Sequence, residues 1–435
     1  MGETSYETGV SETLISTGYS VSFRGYSALD RYMGFTPLPF TWVETDADIS
    51  VLAKFFEDLR FPGRELADGA VDRGEEVFYF RCLDPEDRFR PLDDPGASYK
   101  LLSLTQDWKT KRFRDPCGIY PLIRELRDGP PKNASVQDGR QKQGTVLPGP
   151  ARLKDASPGA EPWWEGLYPG VCQYQAVMDG ALILARYGMG NLPRALVFKT
   201  LLRSFQGLAA GTPPNAESQR VLLTSILISP CPGLGLELLK AAGFVEALWP
   251  ELALLDNVDH SKEYHPEGNV WNHTLETFRH RKPLVRNGPA YDFRLSLGLL
   301  LHDVGKPLAA SSGSRRFDGH AELGARAARK FLERLEFDRE IIGDIFYLVK
   351  NHMLPAALPR LPLTRTEEVL ESPLFPTLME LYRCDESSSF KGLSGYYESS
   401  SAYQAYLRHR RNPYRSADGK KLGREALALP HSRDK

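Results

Sequence analysis

The chain has 435 residues, of which 41% are hydrophobic and 26% charged, and its formal net charge is -1. That length predicts more than one domain, and the balanced charge excludes a global field drawing the chain to nucleic acid or membrane, so any such attraction is local. The five cysteines (Cys82, Cys117, Cys172, Cys231, Cys384) are scattered, odd in number and never CxxC, which argues against a disulfide framework or a zinc-finger module.

The start "MGETSYETGV" lacks the basic end and apolar core of a signal peptide. No run reaches the ~18 apolar residues of a membrane span, so a cytoplasmic protein is expected. Residues 11–127 mix short apolar runs with turns. "GYSVSFRG" and "EEVFYFRCL" read as strands from their aromatic and β-branched content. "DADISVLAKFFEDL" reads as a helix with an early Asp. This part is predicted to be α+β. Residues 128–165, "DGPPKNASVQDGRQKQGTVLPGPARLKDASPGAEP" and its flanks, are rich in Pro, Gly and charge. Such a segment cannot bury enough surface to offset its ordering entropy, and it is expected to be a linker or long loop.

Beyond it the pattern is helical. "QAVMDGALILARYG", "SQRVLLTSILIS", "GLELLKAAGFVEAL", "VWNHTLETF", "DFRLSLGLLLHD", "GHAELGARAARKFLERL", "REIIGDIFYLVKNHM" and "FPTLMELYRCDESS" each carry an apolar stripe and a turn before the next. A helical region over 166–255, a bundle over 256–407 and a basic tail over 408–435 are expected.

Several of the nine histidines sit at matching places in these helices. His273 lies in "VWNHTLETF", His302 and Asp303 end the apolar helix, His320 opens a helix, and His352 closes another. Asp385 lies inside "YRCDES". Separate helices of a bundle can aim such side chains into one cavity. Imidazole with carboxylate suits Mn, Fe, Co, Ni or Zn, and the scarcity of thiolates argues against a structural zinc site. A metal with open positions lowers the pKa of bound water, and a pair of metals can clamp a phosphate. Lys306, in "GKP", follows the His-Asp pair. Taken singly, each has a plainer reading: a hydrogen-bonded core histidine, a cation at a helix C-terminus, a local cap. His260, His280, His409 and His431 read as surface residues.

The ordered set H…HD…H…H…D, with "HDVGKP" and "GHAELGA", resembles the HD superfamily of metal-dependent phosphohydrolases. "SQRVLLTSILISPCPGLGLELLKAAG", "ELLKAAGFVEALWPELALLDNV" and "EYHPEGNVWNHTLETF" are similar to the HD-containing bacterial tRNA nucleotidyltransferases and their poly(A) polymerase relatives. The likeness covers roughly Glu217 to Lys391. It implies an α+β nucleotidyltransferase-like domain followed by a mostly all-α region ending in an HD-domain bundle. It implies His273, His302, Asp303 and Asp385 as ligands of one metal, with His320 and His352 matching the extra histidines of two-metal members. Lys306 then meets a phosphate, Asp303 and Lys306 carry the catalysis, and His265 and Glu267 support the ligands from behind. The implied cofactor is one or two divalent ions (Mn, Fe, Co, Ni or Zn, with Mg a further candidate). The implied partners are a phosphate-containing small molecule or nucleotide, and RNA or tRNA.

The same relatives begin with a GGxVRDxLLG signature and a DxD pair that holds Mg²⁺. The matching stretch here is "GYSALDRYMG": Gly25, Asp30 and Gly34 keep their places, Tyr26 replaces the second glycine and Leu29 the arginine. The spacing then puts Phe40 and Trp42 where the two carboxylates belong, and rings cannot hold magnesium. A slipped alignment would use Asp46 and Asp48 instead, although "VETDADISVLAKFF" aligns better with the following helix. Glu75 and Glu76 are candidates for a third carboxylate. The arginine-rich nucleotide-reading helix is absent from "QYQAVMDGALILARYG". The expected function is hydrolysis of a phosphomonoester or cyclic phosphodiester by the HD part, beside a silent transferase domain. The alternatives are a tRNA or poly(A) nucleotidyltransferase, or a non-catalytic RNA-binding protein. Arg410, Arg411, Lys420 and Lys421 of the tail either contact phosphate backbone or are simply solvated.

Overall fold

The computed structural model describes residues 5–63, 66–83, 100–115, 118, 120, 173–188, 212–259, 268–284, 291–311, 317–362, 365–389 and 392–411. The segment 128–165, the pair His265 and Glu267, and the tail beyond 411, with Lys420 and Lys421, lie outside these. The chain divides into two compact units, residues 1–250 with 282–292, and residues 251–281 with 293–435.

The first unit is an α/β layer. Its six-stranded sheet has the order β3-β4-β2-β1-β5-β6. The strands are β1 (Val21–Arg24), β2 (Phe40–Thr45), β3 (Gly69–Arg73), β4 (Glu76–Cys82), β5 (Thr105–Asp107) and β6 (Phe113–Arg114). β2 and β4 run parallel, and the other pairs are antiparallel. Alternation on β1 and β2 sends Val21, Phe23, Thr41, Val43 and Thr45 into the core. Helix α1 (Ser5–Ser16) begins before residue 11, where the first domain was expected to start.

Helix α2 (Tyr26–Met33) is bracketed by glycines, Gly25 at φ 57°, ψ -127° and Gly34 at φ 73°. Side chains with a Cβ rarely adopt either conformation. Asp30 of α2 is fully buried. It accepts from Arg186 Nε and Nη2 at 2.6 and 2.7 Å and from the Tyr187 hydroxyl at 2.6 Å. The bidentate pair fixes α2 to α4 (Gln173–Tyr187). Helix α3 (Ile49–Phe55) is capped by Asp48, which accepts from the backbone of Ser50 and Val51 at 2.8 and 2.9 Å.

Helices α5 (Ala216–Leu227), α6 (Pro232–Ala241) and α7 (Phe244–Leu248) complete this unit. Gly235 lets α6 press on α4, since a Cβ there would lie 2.6 Å from the Ala181 carbonyl oxygen. The stretch expected as one helix, "GLELLKAAGFVEAL", is two, because Gly243 at φ 80° ends α6 and starts α7.

The second unit is helical. It contains α8 (Val270–Thr277), α9 (Phe293–Leu301), α10 (Lys306–Ser311), α11 (His320–Arg334), α12 (Arg339–Asn351), α13 (Phe375–Ser388) and α14 (Ser394–Arg411). Every residue of α9 from Leu295 to Leu301 is buried, as expected of a helix apolar on all sides. Gly298 leaves room there for Leu348 of α12 and Leu381 of α13. One correction concerns the tail: the backbone of residues 408–411, with Arg410 and Arg411, continues the last turns of α14. His280, expected at the surface, is partly buried at the end of a short 3-10 turn. Among the described residues, no helix is long and apolar enough to cross a membrane.

Candidate metal centre

The site is built where α9 runs out. After Leu301 the chain turns, and Lys306 opens α10 with its N–H on the Asp303 carbonyl at 2.9 Å. Lys306 therefore starts a helix; it does not end one. His302 and Asp303 sit in the turn, 1% and 2% exposed. His273 comes from the middle of α8, His320 from the first position of α11, His352 from the cap of α12 and Asp385 from α13.

The imidazoles share one orientation. The Nδ1 atoms of His302, His320 and His352 lie 2.8, 2.8 and 2.7 Å from the carbonyl oxygens of Leu299, Phe317 and Val349, each three residues back. A carbonyl only accepts, so each of these rings carries its proton on Nδ1 and turns the Nε2 lone pair inward. Phe317 holds its carbonyl in place from a left-handed conformation, φ 55°. His273 places Nδ1 3.3 Å from Ser388 Oγ.

The inward atoms form two groups that could each hold an ion: His273, His302 and Asp385, and then Asp303, His320 and His352. In the first, His273 Nε2 is 3.0 Å from Asp385 Oδ1 and His302 Nε2 is 3.9 Å from it. In the second, His320 Nε2 is 3.0 Å from His352 Nε2. Asp303 touches both groups. Its Oδ2 lies 3.2 Å from His302 Nε2 and 3.9 Å from His273 Nε2, while its Oδ1 lies 3.5 Å from His320 Nε2 and 3.8 Å from His352 Nε2. Lys306 Nζ is 2.6 Å from Asp303 Oδ2.

Electrostatics puts these groups in the form a metal takes. Burial pushes the His352 imidazole down to about 4, and the neighbouring His302 pushes the same way. Burial also lowers His320. Burial alone would raise the Asp303 carboxyl, but the charges of His302 and Lys306 outweigh it and hold the group well below its usual range. Asp385 is likewise held low: burial opposes, and the hydrogen bond and charge of His273 prevail. At neutral pH the centre therefore offers ionised carboxylates with neutral His320 and His352.

The donor set fits divalent cations. His302 Nε2 is buried with no hydrogen-bond partner among the described residues. The facing Nε2 lone pairs of His320 and His352 repel unless a proton or a cation lies between them. Nitrogen with carboxylate oxygen, and no sulfur, is the chemistry of the later first-row divalent ions. Gly305 and Gly324 make the two groups adjacent. A Cβ on Gly305 would lie 2.0 Å from the His320 carbonyl oxygen and 2.4 Å from Gly324 N. The sequence reading passed over Gly305, although a glycine straight after the His-Asp pair was a signal for a close approach of chains. It also passed over Ser388, and a lone Ser three residues after Asp385 carried no signal.

In the first unit, Phe40 and Trp42 share one face of β2, two residues apart. Trp42 stacks on Tyr79 of β4 at 5.8 Å between ring centroids and lies 5.7 Å from the Tyr26 ring. Trp42 and Tyr79 are register partners across the parallel pair. The rings of Tyr26, Trp42 and Tyr79 line a cavity of about 100 Å³ together with Arg24, Arg81 and Asp179. Asp46 lies beyond the strand and accepts from the Ser20 N–H at 2.6 Å, and Asp48 caps α3. Glu75 is exposed in the β3–β4 turn, and Glu76 begins β4. None of these four carboxylates shares the strand face of Phe40 and Trp42 as its neighbour.

A nucleotidyltransferase-like α/β region followed by a mostly helical region with an HD domain is the class that fold and sequence together define. Residues 270–379 match the HD domain family. A CC-adding tRNA nucleotidyltransferase of Thermus thermophilus is 36% identical over 181 residues, 40% of this chain and 39% of that protein. A multifunctional CCA protein of Halorhodospira halophila is 36% identical over 129 residues, 29% of each. An A-adding tRNA nucleotidyltransferase of Deinococcus radiodurans is 31% identical over 192 residues, 42% of each. The chain thus spans about two fifths or less of the length of these curated relatives. The solved CCA-adding enzyme of Bacillus stearothermophilus in complex with CTP has a TM-score of 0.48 and 12% identity, covering 97% of this chain and 89% of that one. The chain resembles the CCA-adding and poly(A) polymerase family.

Proposed function

We propose that the second unit is a divalent-metal-dependent phosphohydrolase, acting on a phosphomonoester or cyclic phosphodiester at a nucleotide or an RNA end. The observation that supports it is the convergence of four imidazoles and two carboxylates from separate helices, with three rings tautomerically fixed for ligation. His273, His302, Asp303 and Asp385 would hold one ion, and Asp303, His320 and His352 a second. Such ions supply Lewis acidity toward a phosphoryl oxygen and activate water near neutral pH. Asp303 places one carboxylate oxygen toward each group. Lys306 keeps a cation against Asp303, 15% exposed, where a short swing of its flexible stem would reach a phosphoryl oxygen and offset charge developing there. His265 and Glu267 would support the ligands from behind.

A second reading has its own support. The relatives are named as tRNA nucleotidyltransferases and CCA proteins, and these names back the transferase reading better than the hydrolase one. What stands against transfer lies in the first unit: Phe40 and Trp42 occupy the places of the DxD pair, and the Tyr26 ring occupies the approach that a second glycine would leave open.

One pair of assays separates the readings. The full chain is given nucleoside 2′,3′-cyclic and 3′-monophosphates with Mn²⁺, Ni²⁺ or Zn²⁺. It is separately given tRNA lacking its 3′ end with labelled nucleoside triphosphates and Mg²⁺. Hydrolysis abolished by Asp303→Ala, without nucleotide incorporation, is the expected result. Incorporation that survives Asp303→Ala, with no hydrolysis, would establish the second reading and discard the first.

A further inference from the structure

Three of the four site imidazoles owe their tautomer to a backbone carbonyl at a helix end. His273 has no such neighbour, because it lies inside α8, where carbonyls are engaged in the helix. Its Nδ1 instead faces Ser388 Oγ at 3.3 Å. Ser388 is 9% exposed and closes α13, the helix that carries Asp385. The Ser389 N–H, which would ordinarily serve the Asp385 carbonyl, bonds to Glu386 O at 3.2 Å. The Asp385 carbonyl is therefore one of the orphan acceptors of a helix end, and the Ser388 hydroxyl donates to it at 2.6 Å. A hydroxyl has one proton. With that proton given to Asp385 O, only a lone pair is left for the imidazole, so His273 Nδ1 must be the donor.

We propose that Ser388 is a positioning residue that holds His273 as the Nδ1–H tautomer and so presents the Nε2 lone pair to a divalent cation shared with Asp385. This rests on the metal-centre reading above. A second observation agrees with it. His273 Nε2 lies 3.0 Å from Asp385 Oδ1. With the proton on Nδ1, that contact sets a lone pair against a carboxylate, and a cation converts the repulsion into ligation. The opposite tautomer would make Nε2–H a donor to Asp385 and close the first group as a plain ion pair. One hydroxyl also ties together what the site must keep in register: the ring from α8 and the backbone of the helix bearing its partner carboxylate.

The test is long-range ¹H–¹⁵N correlation on the metal-free full chain labelled in histidine, with Co²⁺ affinity measured beside it. In the wild type His273 is expected as Nδ1–H, like His302, His320 and His352. Ser388→Ala is expected to give a mixed His273 tautomer, unchanged signals from the other three rings and a loss of Co²⁺ affinity of about 10- to 100-fold. Ser388→Thr, which keeps the hydroxyl, is expected to restore both. An Nε2–H tautomer in the wild type would overturn the proposal, as would a Ser388→Ala chain with unaltered tautomer and affinity. A wild type that shows Nδ1–H yet takes up no Co²⁺ would overturn the metal-centre reading and leave the effect of Ser388 on the ring standing.

Discussion

Gly305→Ala is the sharpest perturbation of the centre that touches none of its ligands. A Cβ there would lie 2.0 Å from the His320 carbonyl oxygen and 2.4 Å from the Gly324 nitrogen. Both are backbone atoms, so no side chain can rotate away. Real Cβ contacts essentially never fall below 3.0 Å, so the start of α11 must retreat by about 1 Å or more. Overpacking of this kind costs about 1–3 kcal/mol. Metal–ligand distances tolerate about 0.2 Å, so the same retreat takes His320 out of the second group. His273, His302 and Asp385 come from α8, the end of α9, and α13, and do not move with α11. The expected result by elemental analysis is loss of one of two bound ions. The melting temperature should also fall, by about 2–4 °C per kcal/mol for a unit of this size. A variant with two ions and an unchanged melting temperature would refute the close approach and the division of the centre into two groups.

Other outcomes follow from the same geometry. Asp303→Ala removes the carboxylate common to both groups and should empty the centre, whereas His320→Ala should leave one ion; elemental analysis of the two variants side by side checks this. In the metal-free chain the His352 imidazole titrates at about 4, against about 6.5 when unfolded. The unfolded state therefore binds a proton that the native state refuses, and stability should fall as pH drops from about 6.5 to 4, by about 3 kcal/mol from this group. Denaturant titrations across that range measure the slope, and His352→Gln should flatten it. Asp303 and Asp385, held below the usual carboxylate range, contribute stability above it that is lost at still lower pH. In the first unit, Arg186→Met leaves Asp30 buried without its bidentate partner. A loss of about 3–5 kcal/mol is expected, read as a drop in the unfolding midpoint, with the metal content of the centre unchanged.

Much of this was legible in the sequence because the informative residues lie where periodicity changes. His302 and Asp303 end an apolar run, His320 and His352 flank helices, and Asp385 interrupts an apolar stripe. Each landed at the helix position that its surroundings implied. The strands β1 and β4 were legible from their aromatic and β-branched runs, and Asp48 was legible as the early acid of α3. What stayed hidden was relational. No local pattern states that Gly305 meets the backbone at His320 or that Ser388 reaches α8. Gly243 splits a segment whose apolar spacing reads as continuous, because φ is a backbone property that the hydrophobic pattern does not encode. The short β5 and β6 take their existence from pairing with β1, not from their own composition. Asp30 was legible as a kept position of a motif, yet its buried bond to Arg186 joins residues 156 apart.

Asp303 gives one oxygen to each group, and that has a consequence for how the centre fills. Charge donated to the first ion is charge withheld from the second, so the two affinities form one thermodynamic cycle. Whatever factor the first ion imposes on the second, the second imposes on the first. A titration of such a centre would report stepwise, mutually dependent binding, and the order of filling would follow which three-ligand group grips harder while Asp303 is still uncommitted.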